Sequence, residues 1–243
     1  MVSATDIVGF LSVCLHTERY PPDQEGGVYR SSDRMVGRLG LALEPFSELA
    51  DWVDRQRLDA LWLHRPWKAD LRKLPADLLI LTHHLPFDET LTTGYNLRLA
   101  ALLDLTDIEP LGYKNSPAPD GELLAPRPIG LIGNAPRRSL DEWRRMLDAL
   151  IDGYDSLHEG TAAQPERVAI VGAMTDALVR EAAQRGADLY LTGQFRQPGR
   201  RAMQETGLSV MALGHHRTEV WGLQKLAALL RERWPHLEVI SRS

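Results

Sequence analysis

The chain has 243 residues, 44% of them hydrophobic, with 28 basic against 33 acidic side chains and a formal net charge of −5; this is enough apolar material for one large or two small α/β domains. The mild acidity excludes a nucleic-acid surface as the main working face, and no run approaches the roughly 20 apolar residues of a membrane span. The single cysteine, Cys14, excludes an intramolecular disulfide and any Cys-rich zinc cluster, so the expected compartment is the reducing cytoplasm and a metal would need His and carboxylate ligands.

Apolar runs of strand length alternate with helix-periodic segments, the pattern of α/β architecture with helices packed on sheets. The first run, 7–15, predicts a buried helix and not a signal peptide, because no basic residue precedes it, Asp6 stands at its start and His16, Thr17 and Glu18 follow it directly. Pro21, Pro22, Gly26 and Gly27 then predict a loop. Strands are predicted at 38–43, 60–63, 78–81, 129–132, 167–171, 189–191 and 209–213. Helices are predicted at 46–56, 96–103, 140–151, 176–185, 199–206 and 218–233. The helix at 46–56 carries Leu49, Trp52 and Val53 on one face, and Ser139 with Glu142 has the spacing of a capping box. Gly186 fits a helix stop. Residues 151–166 read as a strand plus a loop, and 113–128, with four prolines, as the crossing between two lobes.

Three strand ends deliver histidine. The first run ends in His64-Arg65-Pro66-Trp67-Lys68. The second ends in Thr82-His83-His84-Leu85-Pro86-Phe87-Asp88, where Pro86 argues against a continuous helix while His84 and Asp88 still approach across the turn. In the third, Gly214-His215-His216-Arg217-Thr218-Glu219, His215 and Glu219 stand four apart and share a face if the helix begins at His215. That spacing suits metal ligation or acid/base work, and equally suits a carboxylate near the positive end of a helix dipole. Gly130-Leu131-Ile132-Gly133-Asn134 lacks the spacing of a dinucleotide fingerprint, and Val171-Gly172-Ala173-Met174-Thr175 reads as an ordinary strand-to-helix turn.

Gly186–Gly193, followed by Gly214-His215-His216 and Thr218-Glu219, resembles the GTP cyclohydrolase 1 type 2 homologues, the Nif-three-like or YbgI-type family. His84-Leu85-Pro86-Phe87-Asp88 with Gly94-Tyr95-Asn96-Leu97 resembles that family's central His-x-x-x-Asp motif. The resemblance covers the chain from about Arg38 onward. It implies two similar α/β lobes with mixed sheets flanked by helices, residues 1–112 plus 207–243 and residues 113–206, with a metal cleft between them. It also implies a homohexamer, and a metal-dependent hydrolase in which a metal-activated water attacks a small, nucleotide-like substrate. By motif the metal ligands are His64, Asp88, His215 and Glu219, holding one or two divalent ions per chain (Zn, Mn, Fe or Mg). His84 is then the catalytic proton shuttle, and Arg65 and Lys68 bind substrate. A non-enzymatic metal-binding or protein-interaction scaffold and a metal-dependent phosphoesterase are the rival expectations.

Two residues depart from the family pattern. Arg65 stands where a second histidine is usual, and a guanidinium has no lone pair to give a metal. Gln194 stands where an acid follows Thr-Gly. Together they imply one ion where the family has two, with the Arg65 charge in place of the other, unless His83 restores a ligand.

Overall fold

The computed structural model describes residues 1–242. In chain order its first elements are α1 (Ala4–Leu15), β1 (Gly27–Arg30), β2 (Arg38–Ala42), α2 (Leu49–Gln56), β3 (Ala60–Leu63), β4 (Leu79–Thr82), α3 (Leu85–Leu91), α4 (Leu97–Leu102) and β5 (Thr106–Lys114). They are followed by β6 (Arg127–Asn134), α5 (Leu140–Ile151), β7 (Ser156–His158), β8 (Arg167–Val171), α6 (Asp176–Gln184), β9 (Leu189–Thr192), α7 (Gln197–Thr206), β10 (Ser209–Ala212), α8 (His215–Arg233) and β11 (Glu238–Arg242). The chain divides into two compact units, one of Met1–Phe87, Ser116–Leu124 and the stretch from Gly222 onward, the other of Asp88–Asn115 and Ala125–Trp221. Among the described residues no helix is long and apolar enough to cross a membrane.

The first unit holds a five-stranded sheet in the order β1-β4-β3-β2-β11. Its strands are parallel except β1, which runs antiparallel to β4 at one edge. Strand side chains alternate between faces, and on one face Leu61, Leu63 and Ile80 pack with Leu49, Trp52 and Val53 of α2 in a single apolar cluster. The alternate residues Trp62, Leu79 and Leu81 are fully buried as well. A strand buried on both faces needs an unbroken apolar run, which is why these short strands read as continuous hydrophobic stretches.

The second unit holds a six-stranded mixed sheet in the order β5-β6-β8-β9-β10-β7, with β8, β9 and β10 parallel. Alternation again sorts the core. Val168, Ile170, Leu189, Leu191 and Met211 pack with Trp143, Leu147 and Ile151 of α5 and with Trp221 of α8. Ala169, Val171, Tyr190 and Val210 pack with Leu178, Val179 and Ala182 of α6 and Ala202 of α7. Each such buried aliphatic side chain contributes about 1.5–3 kcal/mol. The predicted capping box is present, with Ser139 and Glu142 each bonding the other's backbone.

Several expectations are corrected. Pro86 does not prevent a helix, because it sits in the first turn of α3, where a missing amide hydrogen costs nothing. The lobe boundaries also move: β5 pairs with β6 and β10 with β9, which puts both in the six-stranded sheet, while Ser116–Leu124 belongs to the first unit. The C-terminal 207–243 is therefore not one lobe's property, since β10 and β11 lie in different sheets. Strands β1, β5 and β11 fall where none was predicted. All three are edge strands, and β5 carries Pro110, Gly112 and a left-handed Asp107 with a register shift, features that edges tolerate and that mask a strand pattern.

Candidate metal centre

Strands β3 and β4 lie side by side, with Ala60 opposite Leu79 and Trp62 opposite Leu81, so the residues that follow them leave the sheet at neighbouring points of its C-terminal edge. Open α/β sheets bind ligands at that edge. His64 is the first residue past β3. Its amide donates to the Ala42 carbonyl (3.2 Å) and its carbonyl accepts from Thr82 Oγ1 (3.1 Å), which ties the two strand ends together. His84 comes two residues after β4, immediately before α3, and Asp88 lies four residues further on, one helical turn away.

One nitrogen from each of His64 and His84 and one oxygen of Asp88 all lie within 4.8 Å of one another, and among the described residues this is the one such group of three. Ligands bound at about 2.1 Å to a single ion are at most about 4.2 Å apart, so small side-chain rotations close the set. Two imidazoles and a carboxylate without a thiolate are donors for Zn, Fe or Mn, with positions left for water or substrate. The residues present therefore fit a divalent ion. His64 is buried and its partners are partly buried. The Trp62 ring lies parallel to His64 at 6.1 Å and Phe87 tilts against it at 4.8 Å. Both aromatic rings are fully buried and shield His64 from water.

His83 is not interchangeable with His84. It is buried, and its Nδ1 accepts a hydrogen bond from Trp62 Nε1 (3.1 Å). Burial pushes its pKa down to about 4, so the ring is neutral with its proton on Nε2, and neither nitrogen keeps a lone pair for a metal. The idea that His83 restores a lost ligand is thereby corrected.

Helix α3 is anchored behind Asp88. The Glu89 carboxylate is buried and takes Arg127 Nε at 2.8 Å and Lys114 Nζ at 3.1 Å. Thr92 Oγ1 donates to the Asp88 carbonyl (2.6 Å). A buried Asn96 caps α4 and returns a bond to the Thr92 carbonyl.

The second histidine motif forms its own pair. Helix α8 does begin at His215, after Gly214 at a φ of +92° turns the chain out of β10. His215 Nε2 is 3.1 Å from Glu219 Oε1, with the carboxylate 1% exposed and the imidazole largely in solvent. His215 also lines a cavity of about 300 Å³ with Thr175, Gln194 and Arg196. In the first unit, Arg65 Nε donates to Glu44 Oε1 (2.8 Å), so its charge is shared with a carboxylate and does not replace a missing cation outright. Lys68 is exposed and lines a different cavity.

A family model for Duf34/NIF3 (NGG1p interacting factor 3) matches residues 70–243. The chain belongs to the DUF34/NIF3 family. Among curated proteins it is 26% identical to the Pyrococcus abyssi GTP cyclohydrolase 1 type 2 homolog, over 94% of this chain and 93% of the relative. It is 30% identical to a Yersinia pestis protein of the same name, over 86% and 85%. Among solved structures, a Bacillus cereus protein related to NIF3 superposes with a TM-score of 0.73 at 15% identity, covering 99% of this chain and 96% of that one.

Within this DUF34/NIF3 chain, the structure sorts the residues singled out in the sequence into two groups. His64 and Asp88 come together with His84, which the turn's spacing allowed as a ligand or orienter and to which the family resemblance gave proton transfer. His215 and Glu219 come together with each other. Trp62, Phe87 and Glu89 escaped sequence reasoning. The first two were legible only as apolar residues inside an apolar run, and nothing marks Glu89 apart from its adjacency to Asp88.

Proposed function

We propose that the protein is a metal-dependent hydrolase of a small, nucleotide-like substrate, with His64, His84 and Asp88 holding one divalent ion. The convergence of three donors from β3, the β4–α3 turn and α3 at the C-terminal edge of a sheet carries this reading. An ion in such a site supplies Lewis acidity and acidifies water near neutral pH. The chain's own residues do the rest. His64, Trp62 and Phe87 make a dry wall in which charge interactions strengthen. His84, immediately before α3, and Asp88 within it stand four residues apart, and Glu89 and Arg127 pin that helix down. In the second unit, the exposed imidazole of His215 against the buried Glu219 carboxylate is built to hold a proton at Nε2.

The name shared by the curated relatives supports a hydrolytic attack on a purine ring. Incubating the metal-loaded protein with a nucleotide panel tests it. Release of formate is the expected result. Inorganic phosphate in its place identifies a phosphoesterase using the same donors, and absence of turnover across the panel with metal bound leaves a metal-binding scaffold and sinks the hydrolase.

A further inference from the structure

We propose that the second unit carries a phosphate seat of its own, in which Arg196, Gln194 and the backbone amides of Ala173, Met174 and Thr175 hold a phosphate group. The inference uses none of His64, His84 and Asp88 and needs no metal ion.

Strands β8, β9 and β10 are parallel neighbours, so the segments that follow them meet at one edge of the six-stranded sheet, the C-terminal edge at which open α/β sheets bind ligands. A cavity of about 300 Å³ lies there. Its walls are the Gly172–Thr175 turn after β8, Gln194 and Arg196 after β9, and His215 after β10. The turn is held at each residue. The Gly172 amide donates to the Ile129 carbonyl at 3.2 Å, the Ala173 carbonyl accepts from the Tyr190 hydroxyl at 2.6 Å, and Thr175 Oγ1 caps α6 by accepting from the Leu178 amide. Met174 Sδ accepts from the Arg196 amide at 3.3 Å, which ties the loop carrying the guanidinium to the same turn.

What these contacts leave over is a set of donors. Among the described residues the amides of Ala173, Met174 and Thr175 donate to no carbonyl or side chain, and neither the Gln194 carboxamide nor the Arg196 guanidinium makes a hydrogen bond or ion pair. Successive unengaged amides on a turn that opens a helix attract an anion, and a guanidinium adds full charge with a planar pair of donors. No carboxylate lines the cavity. The nearest in sequence, Asp176, is held by Arg180 at 2.7 Å, and Glu219 is held by His215 at 3.1 Å. Donors from two segments suit an anion that offers oxygens in several directions, as the three terminal oxygens of a phosphate do. The cavity is at the small end of the range for ligand sites, room for a phosphate on a small organic body.

Calorimetric titration of the full-length chain with inorganic phosphate, ribose 5-phosphate and ribose, each before and after treatment with EDTA, tests the seat. Both phosphate compounds should bind, ribose should not, and chelation should change neither affinity. Arg196→Ala should weaken both at least about tenfold, and Arg196→Lys, which keeps the charge without the planar fork, should recover part of that loss. Gln194→Glu should weaken both as strongly by placing a negative charge in the cavity. Arg200→Ala, an exposed cation that does not line the cavity, should change nothing. All four positions substituted are on the surface, and an unchanged urea midpoint shows that each variant is folded. Tighter binding of ribose 5-phosphate than of inorganic phosphate makes the ligand a phosphate monoester, and the reverse makes it the free ion. Equal affinity in wild type and Arg196→Ala, or no binding of either phosphate compound, overturns the seat. Binding that disappears with EDTA overturns it as well, by placing the anion on a metal, whereas a chain that never held metal leaves every reading intact.

Discussion

Two pairs of histidine and carboxylate occupy the same local setting with different outcomes. His84 with Asp88 and His215 with Glu219 are both four residues apart, and both stand where a buried strand hands over to a helix. In the first pair the neighbouring parallel strand β3 runs on into His64, and three donors converge. In the second, the neighbouring parallel strand β9 runs on into Gly193, which has no donor to give. Glu219 there meets His215 at 3.1 Å and His216 at the more remote 4.0 Å. Helical spacing supplies two ligands at any such junction. The residue at the end of the adjacent strand brings a donor in the first case, His64, and no side chain in the second, Gly193.

The largest expected effect breaks the first group directly. Asp88→Asn preserves shape and removes the anionic donor, and His84→Ala removes a nitrogen. Each should lower affinity for Zn by at least about a hundredfold, or ~2.7 kcal/mol, in competition with a chromophoric chelator. An ion retained at wild-type affinity in both variants means that the convergence of His64, His84 and Asp88 is not a ligand set.

The adjacent histidine gives the next test, with stability as its readout. His83→Ala leaves the Trp62 indole N–H buried without its acceptor and opens a cavity, which together cost roughly 2–4 kcal/mol. Urea unfolding should show that loss while ion stoichiometry stays unchanged. A stable His83→Ala chain that has lost its metal would reverse the roles of the two neighbours.

These histidines also mark how far sequence carries. The strand-end positions of His64, His84 and His215, the His-x-x-x-acid spacings and most helices were legible because they depend on local periodicity and on residue type. The choice between His83 and His84 was not, since it depends on Trp62, one strand away in the sheet and 21 residues away in the chain. Pro86 misled for a related reason: a proline signals a break only if its place in the helix is known, and in the first turn of α3 it signals a start. Edge strands β1, β5 and β11 were hidden because one-sided pairing imposes no full apolar run. The division into units depends on which sheet each strand joins, and that is a long-range property.

The smallest effect is a gain, and it would sharpen the contrast most. Gly193 at the end of β9 brings no side chain to the second pair, so a donor supplied beside it should strengthen cation binding there. Gln194 is the natural position, because it lines the same cavity as His215 and follows Gly193 at the end of β9. Gln194→Glu adds a carboxylate beside an imidazole whose partner carboxylate is already buried, so the new negative charge favours a cation. It also raises electrostatic repulsion when no cation is bound. The expected outcome is a second Zn equivalent, bound roughly tenfold, or ~1.4 kcal/mol, more tightly than any second equivalent in wild type, by calorimetric titration of protein already loaded at the first site. Arg196 on the same cavity wall opposes this gain, so the Gln194→Glu, Arg196→Gln double variant should bind the second ion better still. If neither variant takes up more metal than wild type, the missing third donor is not what separates the two pairs, and the geometry of the β10–α8 junction itself is unsuited to a metal.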